Sequence, residues 1–124
     1  MGIRLISLAD PDVSIKLNWW SWRPIEGIVR RAGSCTDEQL AELSYNSGAE
    51  FDAAVARSIA RHVNAVLKAP DGDLLELDGT WSSRVDDGTF HRDDKTAHLN
   101  YGVPRATLEA VIAFCETCGG FRVV

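Results

Sequence analysis

A chain of 124 residues, 45% hydrophobic and 25% charged, has the proportions of one soluble globular domain with a core that needs no disulfide staples. Its 18 acidic residues outnumber 13 Lys and Arg, for a net charge of -5. That balance argues against general nucleic-acid binding, because neutralising phosphates takes a basic face.

Nothing in the sequence approaches the roughly 18 apolar residues of a membrane span. The stretch Met1 to Asp10 has neither a basic region nor a long apolar run, so no secretory signal is expected. Cys35, Cys115 and Cys118 are few and odd in number, and read as reduced thiols in a cytoplasm.

In chain order, Ile3 to Leu8 alternates as a strand, Asp10-Pro11-Asp12 breaks it, and Val13 to Leu17 alternates again. If Asn18 to Trp22 is extended, Trp20 and Trp22 point one way and Trp19 the other, and Pro24 is expected as the first residue of a helix that stops at Gly33. Thr36-Asp37-Glu38-Gln39 has the form of a capping box and predicts a short helix through Leu40 and Leu43. Ser47-Gly48-Ala49-Glu50 repeats the signal and predicts a longer helix with the apolar stripe Phe51, Val55, Ile59, Val63 and Val66.

Pro70-Asp71-Gly72 marks its end, Leu74 to Leu77 reads as a strand, and Asp78-Gly79 turns it into a return arm over Thr80 to Val85. Asp87-Gly88 is another turn signal, and Phe90 to Lys95 reads as a surface loop. Pro104 opens a final helix buried through Leu108, Val111, Ile112 and Cys115, and Gly119-Gly120 leads into a closing strand over Phe121 to Val124. This order predicts a single α+β domain over residues 1–124, with a mainly antiparallel sheet packed against three to four helices.

Three of the four tryptophans fall in Asn18-Trp19-Trp20-Ser21-Trp22-Arg23-Pro24. Each can bury about 200 Å². Such a cluster either anchors a small core or forms a surface for something flat or cationic. The surface reading assigns binding to Asn18, Trp19, Trp20, Trp22 and Arg23, with Tyr45 and Asn46 beside them if the first helices fold back.

Cys115-Glu116-Thr117-Cys118 has the spacing of half a zinc knuckle, but tetrahedral zinc needs two further ligands and no second C-x-x-C exists. The pair also lies at the C-terminal end of its predicted helix, the wrong end for a lowered thiol pKa. His91, Asp93 and Asp94, with His98, offer acid, base and anion-binding groups at no diagnostic spacing. The chain contains no serine elbow, H-E-x-x-H pair, Walker loop or G-x-G-x-x-G.

The Asn18 to Pro24 segment, Tyr45-Asn46-Ser47-Gly48-Ala49-Glu50-Phe51-Asp52 and the terminal Cys118-Gly119-Gly120-Phe121-Arg122-Val123 resemble a set of small bacterial and phage proteins of unknown activity. These share a Trp-rich W-R-P element, an N-D-G-like turn before an alanine-rich helix, and a closing G-G-F strand. Ser47 stands here where that pattern has aspartate. The resemblance implies a fold and a phage or mobile-element setting, and carries no catalytic residues.

The expected function is therefore that of a cytoplasmic, non-catalytic binding module that takes a protein partner or a small ligand through the Trp/Arg surface. It implies no cofactor, metal, general nucleic-acid binding or membrane association. A small hydrolase or nucleotide-processing enzyme using His91, Asp93 and Asp94 stays open as an alternative. So does a zinc-stabilised interaction domain using Cys115 and Cys118.

Overall fold

Alternation in Gly2–Ser7 builds β1, which turns Ile3 and Leu5 into the core and Arg4 outward. A computed structural model describes residues 2–68, 72–85 and 89–124. The following elements are β2 (Ser14–Asn18), α1 (Trp19–Ala32), α2 (Asp37–Leu43), β3 (Glu50–Asp52) and α3 (Ala53–Leu67). Then come β4 (Leu74–Leu75), β5 (Trp81–Ser82), β6 (Val103–Pro104), α4 (Arg105–Thr117) and β7 (Gly120–Val123).

The fold is α+β. Among the described residues one antiparallel sheet has the order β2-β1-β7-β3, and a smaller one has the order β5-β4-β6. The closing strand pairs with the first, Leu5 opposite Val123, and with β3, Phe51 opposite Phe121. No helix among the described residues is long and apolar enough to cross a membrane.

One face of the larger sheet carries the core. Ile3, Leu5, Phe51, Phe121 and Val123 meet Trp22, Ile25 and Val29 of α1, Ile59 and Val63 of α3, and Leu108 and Val111 of α4. Full burial of each such side chain contributes about 1.5–3 kcal/mol. Ser7 is buried without cost because its hydroxyl donates to the Cys118 carbonyl at 2.7 Å.

Three boundaries follow the sequence signals directly. The capping box at Thr36 forms in both directions, Gln39 N–H to Thr36 Oγ1 at 3.1 Å and Thr36 N–H to Gln39 Oε1 at 2.9 Å. Gly33 ends α1 in the left-handed region at φ 72°. The turn at Asp78-Gly79 joins β4 to β5 as a short hairpin.

Two boundaries differ. Trp19 to Trp22 is helical, not extended: Asn18, the last residue of β2, caps α1, its Oδ1 accepting from Ser21 N–H at 2.8 Å, and the helix begins at Trp19. Pro24 therefore lies inside the helix instead of at its start. Its missing N–H leaves the Trp20 carbonyl without an intrahelical donor. Gly102 N–H supplies one at 3.0 Å and docks the chain before β6 onto α1.

Ser47 does not open a helix either. Glu50, Phe51 and Asp52 form β3 against β7, and Asp52 caps α3 through Val55 N–H at 2.9 Å. Phe51 joins the core from a strand, its ring 5.3 Å from that of Phe121. The turn signals at Pro70-Asp71 and Asp87-Gly88 lie outside the described residues.

Candidate functional site

Helical geometry divides the tryptophan cluster between core and surface. Residues 19, 20 and 22 of a helix point in three directions, about 100° per residue. Trp22 is 1% exposed, and its indole N–H donates to the Leu43 carbonyl at 2.8 Å, which pins α2 to α1. Trp19 is half-buried against the core under the Arg23 guanidinium, 4.6 Å from its ring centre.

Trp20 remains 41% exposed. Tyr101 meets it edge-on at 5.0 Å and Phe90 at 6.0 Å, with Phe90 itself 59% exposed. These three rings form an aromatic ledge. The Trp20–Gly102 hydrogen bond holds it in place, so a contact surface is prepared before anything binds.

The other sequence-designated residues serve structure. Arg23 donates to Glu26 Oε1 at 2.8 Å and to the Ser44 carbonyl at 2.7 Å. Burial raises the Glu26 carboxyl above its usual value, and the Arg23 charge only partly offsets this. The Asn46 amide donates to the Gly2 carbonyl at 3.2 Å. Tyr45 is exposed but takes no part in the ring contacts of the ledge.

His91, Asp93 and Asp94 lie in the loop before a 3₁₀ turn at Ala97–Asn100. The Asn100 side chain brackets His91, accepting from its N–H at 2.7 Å and donating to its carbonyl at 2.8 Å. Asp93 Oδ1 accepts from Lys95 N–H at 3.0 Å. These contacts shape a loop, and they bring the Phe90 ring to Trp20.

Cys115 and Cys118 are buried, and Cys118 Sγ donates to the Cys115 carbonyl at 3.7 Å. Desolvation pushes the Cys115 thiol up to about 12, and burial raises Cys118 as well. Such thiols are poor nucleophiles and poor metal ligands near neutrality. Among the described residues, no three His, Cys, Asp or Glu side chains are grouped to hold a metal ion.

A cavity of about 400 Å³ is lined by Glu76, Leu77, Asp78, Thr80 and His98. Arg84 ties the cavity wall to the backbone of the ledge residue Tyr101. It grips both Glu76 oxygens through Nε at 2.8 Å and donates to the carbonyls of Leu99 at 3.1 Å and Tyr101 at 3.1 Å. Asp78 Oδ1 accepts from Thr80 Oγ1 at 2.6 Å and Thr80 N–H at 3.0 Å. Those bonds, the hydroxyl first, hold its carboxyl below the ordinary value, with the Arg31 charge assisting.

Sequence reasoning missed Phe90 and Tyr101 as parts of a site. Their only local signal was an aromatic on either side of a polar stretch. No protein-family model, curated protein or solved structure matches the chain.

Proposed function

We propose that the protein is a non-catalytic binding module that holds a partner protein against the Trp20–Tyr101–Phe90 ledge. The observation that carries this reading is the surface clustering of three aromatic rings, one 41% and one 59% exposed, on backbone fixed by the Trp20–Gly102 bond. Trp and Tyr on rigid backbone are the side chains that dominate protein interfaces, since they add contact area at little entropic cost. The free thiols suit a reducing cytoplasm. The resemblance to bacterial and phage proteins favours a host-cell component as the partner.

Relative to the sequence-based expectation, the contact surface contracts and shifts. Trp22 and Arg23 support it from inside, and Phe90 and Tyr101 replace them. The test compares capture from cell extract by the wild type and by a Trp20→Ala/Phe90→Ala variant, with thermal melting of both. A species retained by the wild type and lost by an equally stable variant supports the reading. Equal retention, or loss that tracks melting of the domain, overturns it.

A further inference from the structure

The carbonyls that frame the aromatic ledge are already engaged. The Trp20 carbonyl accepts from Gly102 N–H at 3.0 Å, and the Gly102 carbonyl accepts from the Ser21 hydroxyl at 3.4 Å. Arg84 donates to the carbonyls of Leu99 and Tyr101, each at 3.1 Å. The His91 carbonyl, next to Phe90 in the chain, accepts from the Asn100 amide at 2.8 Å.

The groups left over are donors. Among the described residues, the indoles of Trp22 and Trp81 donate to the carbonyls of Leu43 and Val66, whereas the Trp20 indole N–H and the Tyr101 hydroxyl donate to none. Tyr101 is half-buried, yet its hydroxyl is not a buried unpartnered atom, so it reaches water. The rings meet edge-on, at 70° for Trp20 with Tyr101 and 62° for Trp20 with Phe90. Such angles make a ridged surface with notches between the ring faces.

We propose, building on the binding-module reading, that the ledge takes a proline-rich segment of its partner in the polyproline II conformation. Proline has no N–H to present, and the carbonyls of a polyproline II helix have no internal partners. Such a segment therefore calls for donors and apolar ring faces, the two things the ledge presents. An α-helix would satisfy its own carbonyls and leave both donors unmet, and an added strand would bring N–H groups to carbonyls already occupied. A nucleobase stacks on an open, parallel ring face, which the steep ring angles work against. Pyrrolidine rings fit the notches, and the preformed helix loses little freedom on docking.

The experiment is an NMR titration of the whole chain with capped hexaproline. Its control is a capped glycine–serine hexapeptide, which has N–H groups and a flexible backbone. Saturable shifts of the Trp20 indole N–H and the Gly102 amide are expected with hexaproline at millimolar concentration, with the control at least about tenfold weaker. Trp20→Phe and Tyr101→Phe each keep a ring and delete one donor. Each should weaken hexaproline about fivefold at the Gly102 amide, as loss of one hydrogen bond does, with the rest of the spectrum unchanged.

Three results would sink the assignment: no saturation by hexaproline, equal binding of the control, or wild-type affinity in both phenylalanine variants. Excess hexaproline added to a partner captured through the ledge separates the two readings. Displacement supports both. A partner that depends on Trp20 and Phe90 but stays bound overturns the proline assignment and leaves the binding module standing.

Discussion

The two sheets of this small domain share one core but differ in how far polar bonds fix them. The larger sheet, β2-β1-β7-β3, rests on apolar burial: Ile3, Leu5, Phe121 and Val123 have almost no exposed surface and meet three helices. The smaller sheet consists of two-residue strands; Leu75 and Val103 anchor it in the same core, and polar clamps add to that burial. Arg84 bonds Glu76 and two carbonyls of the segment before β6, and Arg105 reaches the Leu67 carbonyl at 3.4 Å and the Gly72 carbonyl at 3.1 Å while covering Trp81. Burial is non-directional and makes a scaffold, whereas directional bonds place particular groups at the surface. The ledge lies where the two regions meet, with Trp20 on α1 and Tyr101 before β6.

The comparison is tested most severely by Trp22→Ala. It removes the largest fully buried side chain and leaves the Leu43 carbonyl without its indole donor. A loss of about 3–5 kcal/mol is expected, measured by chemical denaturation, with the whole domain unfolding as one unit. A loss under about 1 kcal/mol would mean that the cluster is not the keystone of the core.

Arg84→Met comes next. It should cost about 1–3 kcal/mol, because partly buried Glu76 and two carbonyls lose a donor. Hydrogen exchange should show where the cost falls. Amides around residues 72–85 and 99–104 should exchange faster, while those of β1 and β7 keep their protection. Uniform acceleration would erase the distinction between the two regions.

The same distinction governs what the sequence disclosed. The capping box at Thr36 and the glycine stop at Gly33 are local signals with local outcomes, and each is present. The start of α1 was misread because Pro24 looks like a helix-opening residue. Only Gly102, far along the chain, makes it tolerable inside the helix by bonding the Trp20 carbonyl. Likewise Ser47 and Asp52 are both good caps, and pairing of β3 with β7 selects the second.

The ledge was illegible for the same reason. Trp20 was visible as a candidate, but its separation from Trp22 depends on the helix beginning before it. Phe90 and Tyr101 reach it only through tertiary folding.

A smaller effect tests the polar link inside the scaffold. Burial raises the Glu26 carboxyl above 4.5, with Arg23 only partly compensating. The folded state then retains a proton that the unfolded chain would release. Its contribution is complete below pH 4.5 and fades as pH rises through the folded-state value. Urea denaturation across that range should show the wild type losing stability relative to Glu26→Gln from pH 4.5 toward neutrality. Parallel pH profiles for the two proteins would show that Arg23 and Ser44 fully offset the burial.

The smallest stability change belongs to Trp20→Ala, and its size decides what the ledge is. Trp20 lies two residues before Trp22 on the same helix, yet 41% of it faces water where Trp22 shows 1%. Its ring contacts go to Tyr101 and to Phe90, which is itself mostly exposed, so truncation removes surface packing and opens no cavity in the core. The Trp20–Gly102 bond uses main-chain atoms and survives the substitution. Denaturation should therefore show a loss within about 1 kcal/mol, far below that of Trp22→Ala. A stability loss comparable to Trp22→Ala would make Trp20 a structural residue and leave the ledge no surplus with which to bind. A small loss leaves a rigid, partly wetted tryptophan that contributes little to folding, as a residue held ready for a partner should.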